Sequence, residues 1–176
     1  MKLLKTISLF ATSLALSLTT SLAHADLKIF ATVPEWGALA EALGGNKVQV
    51  YTATTGMQDP HRIQARPSLI AKARSANLLI ATGAGLEIGW LPTVQREANN
   101  AGIMPNQPGF IEVSRYVRML DIPAVVDRTM GDVHAEGNPH IQTDPRNLLP
   151  IAKAVSARMQ QLDPENATYY HTQLSQ

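Results

Sequence analysis

The sequence contains no cysteine, so any bound metal must be held by His, Asp or Glu, and thiolate or redox chemistry at cysteine is excluded. It has no internal repeat and no H-E-x-x-H motif. Gly83-Ala84-Gly85 supplies only two of the three glycines of a phosphate-binding fingerprint, which argues against a nucleotide site. Ser68 and Ser114 have no neighbouring His and acid pattern that would indicate a nucleophile. These absences favour a binding protein over an enzyme.

The amino terminus has the pattern of a cleavable secretory signal. Lys2 and Lys5 give a basic start, residues 7 to 18 are mostly apolar, and Ala23-His24-Ala25 is an A-x-A cleavage site before Asp26. The apolar run is shorter than the roughly 20 residues of a membrane-spanning helix, so stable membrane insertion is not expected. We therefore predict a periplasmic protein whose signal peptide is residues 1–25.

The charge balance excludes one class of partner. The chain has 15 Lys and Arg against 14 Asp and Glu, and loss of Lys2 and Lys5 would leave 13 against 14. A nearly neutral protein is not suited to nucleic acid. The remaining 151 residues are enough for one domain with a real core.

Hydrophobic periodicity alternates between strand and helix along the first part of the chain. Such alternation predicts an α/β fold with a parallel sheet of about four strands flanked by helices. The predicted strands are residues 27–33, 48–52, 77–82 and 109–114, and the predicted helices are residues 34–43, 67–76 and 90–99.

The last third of the chain is less regular at its start. Residues 121–139 are rich in Asp, Pro, Gly and His, which predicts a mobile surface loop. A helix is expected after Asp144-Pro145, running to about Leu162, and Asp163-Pro164-Glu165 has the composition of a helix start. We expect this last helix to lack part of its packing partner, leaving Ala167, Tyr170 and Leu174 incompletely covered.

Two histidines directly follow prolines, in Asp59-Pro60-His61 and in Asn138-Pro139-His140. Proline fixes its own φ and lacks an N–H, so each imidazole is carried on a stiffened loop. Both loops can reach the carboxyl edge of the predicted sheet, where open α/β folds bind ligands. Two imidazoles at this edge predict half of the ligands of a tetrahedral or near-tetrahedral metal site. Each histidine could instead be a simple turn residue.

The other histidines are weaker candidates. His134 lies six residues before His140 in the irregular segment and is read as a solvated loop residue with a possible accessory metal contact. His24 leaves with the signal peptide, and His171 is expected on the surface of the last helix. Asp59 and Asp144 are candidates for orienting the imidazole rings.

At these residues the sequence resembles the zinc and manganese (cluster A-I, or cluster 9) periplasmic solute-binding proteins of ABC importers. The matching features occur in family order over nearly the whole exported chain. They are DPH at 59–61 followed by Pro67-Ser68, NLLIATGAGLE at 77–87 with Trp90 after it, GNPH at 137–140, DPRN at 144–147 and LDPENATYY at 162–170.

The resemblance implies that His61 and His140 ligate Zn²⁺ or Mn²⁺ as the transported cargo, with an ABC transporter permease as partner. It also implies two lobes joined by a long helix, with further ligands, a His or Glu and an Asp, from the second lobe. We therefore expect residues 26–162 to form the N-terminal lobe and 163–176 to begin the interlobe helix, in a fragment or a truncated product. Imidazole favours zinc and carboxylate suits manganese, so the missing third ligand leaves the metal open.

Two alternatives remain at this stage. A small periplasmic zinc metallohydrolase would use two His, a carboxylate and an open water position, and it would need a general base beside that water. The chain could also be a remnant that binds no metal.

Overall fold

The helices and strands come from a computed structural model that describes residues 26–126 and 133–176. Pro34, Pro67 and Pro92 each stand within the first two positions of a helix, where the missing N–H costs no hydrogen bond. In chain order the elements are β1 (Leu27–Ala31), α1 (Pro34–Gly44), β2 (Val48–Thr52), α2 (Pro67–Arg74), β3 (Leu78–Ala81), α3 (Leu91–Ala98), β4 (Phe110–Glu112), α4 (Leu148–Leu162) and α5 (Ala167–Leu174).

The four strands form one parallel sheet in the order β2-β1-β3-β4. Ile29 pairs with Val50 on one side and with Leu78 on the other, and Ile80 pairs with Ile111. The strand order reverses beside β1, and such a switch point opens a crevice at the carboxyl edge. The predicted α/β class and the parallel four-stranded sheet are confirmed.

The core lies on both faces of the sheet because side chains alternate along each strand. Ile29 and Ile80 point towards α1, α4 and α5, where they pack with buried Trp36 and Met159. Phe30 and its neighbours on the opposite face pack against α2 and α3. In the described part of the chain, helices therefore cover both faces of the sheet.

The last helix is better packed than its sequence predicts. Helix α5 contacts α4 and α1, Tyr170 is fully buried, and Leu174 packs partly against the core. Tyr170 donates a hydrogen bond to Asp163, and Ser156 donates to the Tyr170 carbonyl, 3.1 Å away. The expectation of incomplete cover is therefore wrong for Tyr170, whereas Ala167 and Leu174 are only partly buried.

The start of this helix also differs from the prediction. Residues Pro164–Asn166 form a 3₁₀ turn, and α5 begins only at Ala167. The Asp163 carboxylate accepts from the side chains of Asn166 and Tyr170. Asp163 thus ties this turn to the core of the lobe.

The structure describes only part of the irregular segment 121–139. Its described parts, 121–126 and 133–139, contain neither helix nor strand, and residues 127–132 lie outside the described residues, as does the predicted signal peptide. Within 26–126 and 133–176, no helix has the length and hydrophobicity needed to cross a membrane.

Candidate metal centre

His61 is presented by a short turn beyond β2. Pro60–Arg62 form one turn of 3₁₀ helix, and Asp59 accepts a hydrogen bond from the His61 backbone N–H, 3.0 Å away. The indole of buried Trp90 donates to the Pro60 carbonyl at 2.9 Å. This contact fixes the turn to the start of α3, so the sequence DPH gives a rigid local structure.

The His61 ring makes a contact through each nitrogen. Its Nδ1 lies 2.7 Å from Asp59 Oδ1, and its Nε2 lies 3.0 Å from His134 Nε2. The hydrogen bond from His61 lowers the pKa of the exposed Asp59 carboxyl below its ordinary value. An ionised carboxylate only accepts, so Nδ1 of a neutral His61 carries the proton and Nε2 keeps its lone pair. His134 then donates its Nε2–H to that lone pair.

His134 is not the solvated loop residue that its sequence context suggests. It is half-buried, and its ring centroid lies 5.1 Å from that of His61. A Cβ built on Gly85 would stand 3.2 Å from His134 Nδ1, which places the ring against the turn after β3. The structure therefore brings the accessory candidate into direct contact with His61.

His140 reaches the same place from the other side. Its ring centroid lies 6.0 Å from that of His61, with the two ring planes at 66°. Its backbone N–H donates to Asn138 Oδ1 at 3.0 Å, and Thr143 Oγ1 donates to its carbonyl at 2.7 Å. The Pro139 ring before it is buried, whereas His140 itself is exposed. A cavity of about 340 Å³ opens between the three imidazoles.

The two predicted ring-orienting acids behave differently. Asp59 holds His61 as expected, but the Asp144 carboxylate binds the guanidinium of Arg146, with its closest contact at 2.8 Å. These hydrogen bonds lower the pKa of Asp144. Asp144 also accepts from the Arg146 backbone N–H and so shapes the turn before α4. The prediction that Asp144 orients an imidazole ring is therefore wrong, because its carboxylate is paired with the Arg146 guanidinium instead.

Glu87 is a buried carboxyl whose role the sequence did not reveal. It accepts from Thr32 Oγ1 at 2.7 Å and from the backbone N–H groups of Thr82 and Gly83 at 2.8 and 3.1 Å. Burial raises its pKa, and these hydrogen bonds oppose the rise. Glu87 fixes residues 83–85 to the ends of β1 and β3, and hence fixes the wall beside His134. The sequence signal for it was a single acidic residue six positions after the apolar strand β3.

The three rings do not converge on one point. In the described part of the chain, no set of three or more His, Cys, Asp or Glu side chains has a spacing that could hold a metal ion. For two tetrahedral zinc ligands, nitrogens about 2.0–2.1 Å from the metal stand about 3.3 Å apart. The observed 3.0 Å between His61 and His134 is a direct hydrogen bond, only a few tenths of an ångström shorter than that.

The chain is similar to known metal-import proteins. It is 26% identical over 162 residues to the metal ABC transporter substrate-binding lipoprotein SloC of Streptococcus mutans, an alignment that covers 89% of this chain and 50% of that protein. It is 23% identical over 161 residues to the manganese ABC transporter substrate-binding lipoprotein PsaA of Streptococcus pneumoniae, covering 89% and 49%. The chain thus spans about half the length of these relatives.

A solved structure shows the same fold. The crystal structure of ZnuA superposes with a TM-score of 0.70 at 22% identity, over 86% of this chain and 54% of that one. The described sheet and helices therefore correspond to part of the ZnuA fold. The family model for the zinc-uptake complex component A, periplasmic, matches residues 29–176. The resemblance seen in the sequence is confirmed, and this chain belongs to the ZnuA family.

Proposed function

We propose that this chain binds a divalent transition metal, Zn²⁺ or Mn²⁺, as cargo for an ABC importer, with His61 and His140 as ligands. One observation carries the proposal. Two separate Pro-His loops bring their imidazoles to a centroid distance of 6.0 Å at the carboxyl edge of the sheet. Asp59 orients one of these rings from its far side, as carboxylates do at histidine metal sites.

The names of the relatives support a role in metal transport. SloC and PsaA are named as substrate-binding components of metal and manganese ABC transporters, and the family is named for zinc uptake. We propose that residues 26–162 act as the N-terminal metal-binding lobe and that 163–176 lead towards a second lobe, which would add ligands. Delivery to a permease would follow export to the periplasm by a cleaved signal peptide.

A binding role suits the site better than hydrolysis does. A zinc hydrolase needs a carboxylate free to act as a base on a metal-bound water. Asp59 accepts a hydrogen bond from His61, and Asp144 accepts hydrogen bonds from Arg146. Asp121, which lines the cavity, accepts a hydrogen bond from the Asn138 amide at 3.3 Å. We therefore propose capture and release of a metal without chemical change.

Calorimetry with zinc and with manganese tests the proposal on the purified chain. His61→Ala and His140→Ala should each weaken binding strongly, because each removes a ligand. His171→Ala is the matched control, since His171 is exposed on α5 away from these loops. Binding that survives both substitutions would show that the ligands are elsewhere, and absence of binding by the unaltered chain would favour a non-binding remnant.

A further inference from the structure

We propose that His134 is a third metal ligand within this lobe and that it makes the site select zinc over manganese. This inference rests on the proposed function, because it extends the same site. It starts from a contact between residues 73 positions apart, the 3.0 Å approach of His61 Nε2 and His134 Nε2.

The contact has the directionality of a two-imidazole site. The Asp59 carboxylate accepts a hydrogen bond from Nδ1 of His61. Nε2 is therefore the nitrogen that is left to face the cavity. His134 presents its own Nε2 to the same point, with its Nδ1 towards Gly85. A zinc ion that replaces the shared proton needs the two nitrogens to separate to about 3.3 Å, which is a small movement for two side chains.

The turn that contains Gly85 packs against the His134 ring and limits its movement. Gly85 has a φ of +78°, so glycine is favoured there on backbone grounds, and any side chain would also press on His134 Nδ1. The turn that contains Gly85 is held by the Glu87 carboxylate through Thr82 and Gly83. The imidazole thus meets a fixed surface on one side and His61 on the other.

His140 supplies the third imidazole by a side-chain rotation. Its ring is exposed at the mouth of the cavity, while its backbone is fixed by Asn138 and Thr143. Exposed side chains change rotamer in picoseconds to nanoseconds, so the ring can turn towards the other two when a cation arrives.

Three imidazoles give the site its preference. Imidazole nitrogen suits zinc, whereas manganese prefers carboxylate, carbonyl and water oxygen. The nearby Asp59 carboxylate faces Nδ1 of His61 and lies behind the ring. Asp121 also lines the cavity, and its Oδ2 accepts a hydrogen bond from the Asn138 side-chain amide at 3.3 Å. Among the described side chains that line this cavity, three imidazoles therefore stand against one carboxylate.

The experiment compares zinc and manganese affinity for the unaltered chain, His134→Ala, His134→Asp and the control His171→Ala. Loss of an orienting neighbour typically costs a metal site about 10–100-fold in affinity, so loss of a direct ligand should weaken zinc binding at least tenfold. Manganese binding should change little in His134→Ala, and His134→Asp should shift the preference towards manganese. X-ray absorption of the zinc-loaded chain should count three imidazoles, and two in His134→Ala.

The outcomes separate this inference from the proposed function. If His61→Ala and His140→Ala abolish binding while His134→Ala leaves zinc affinity and the imidazole count unchanged, the third-ligand assignment is overturned and the function stands. Equal loss of zinc and manganese in His134→Ala would overturn the selectivity. His134→Gln keeps a polar side chain in the loop, and recovery of zinc affinity in that variant would show that His134 acts only structurally.

Discussion

The Asp59 carboxylate holds the His61 imidazole, with Oδ1 2.7 Å from Nδ1 and 3.0 Å from the His61 backbone N–H. One oxygen therefore shapes the turn and orients the ring. Asp144 shapes a second Asp-Pro turn in the same way, accepting from the Arg146 backbone N–H at 3.0 Å, but its side-chain partner is a guanidinium. The two motifs share a backbone function and differ in what they orient.

This pair gives a matched test of ring orientation. We expect Asp59→Ala to weaken zinc binding by about 10–100-fold, because the ring loses the partner that fixes its tautomer and direction. Asp144→Ala should leave the affinity nearly unchanged, since it removes an equivalent turn contact without touching His61 or His140. Zinc calorimetry on both variants measures the difference, and equal effects would mean that turn stability alone matters.

Gly85 should be intolerant of a side chain. Its φ of +78° makes Gly85→Ala unfavourable by about 1–2 kcal/mol, and the new Cβ would stand 3.2 Å from His134 Nδ1. We expect both a lower free energy of unfolding and weaker zinc binding. Gly56→Ala is the control, because a Cβ there meets no atom within 4 Å. Urea denaturation and calorimetry provide the two measurements, and a Gly85→Ala chain as stable as the control would contradict the argument.

Tyr170 should anchor the last helix to the lobe. Tyr170→Phe leaves the buried Asp163 without one of its donors, so we expect a loss of about 1–3 kcal/mol in the free energy of unfolding. The exposed His171→Ala is the control and should have little effect. Hydrogen exchange that showed α5 unprotected in the unaltered chain would contradict this role.

The same tyrosine predicts a stability change at high pH. Burial and the neighbouring Asp163 raise the pKa of Tyr170 well above its ordinary value. The folded state therefore keeps the hydroxyl proton when the unfolded state loses it, so this contribution is full below about pH 10 and is lost as pH rises towards the folded-state pKa. Urea denaturation as a function of pH should show that the decline above pH 10 is smaller in Tyr170→Phe. An identical decline would assign it to other groups.

Export should yield a chain that begins at Asp26. The basic start, apolar run and Ala23-His24-Ala25 site predict cleavage after Ala25. Intact mass of the protein recovered from the periplasm measures this directly. A species that retains residues 1–25 in the membrane fraction would contradict it.

Much of the fold was predictable because its signals are local. Hydrophobic periodicity and N-terminal prolines placed β1 to β4 and α1 to α4 within a few residues of their observed bounds. The predicted start of α4, just after Pro145, was early by about two residues, since Pro145–Asn147 form a separate 3₁₀ turn and α4 begins at Leu148. The local Asp59-Pro60-His61 motif likewise gave the turn and the orienting acid.

Local patterns in the sequence were enough to predict the α/β class, the two Pro-His loops and the edge of the sheet that they reach. The contact of His134 with His61, the pairing of Asp144 with Arg146 and the burial of Tyr170 became evident only in the folded chain. The reason is physical: periodicity and proline act over a few residues, whereas a contact 73 positions apart depends on how the strands order themselves and where the loops pack.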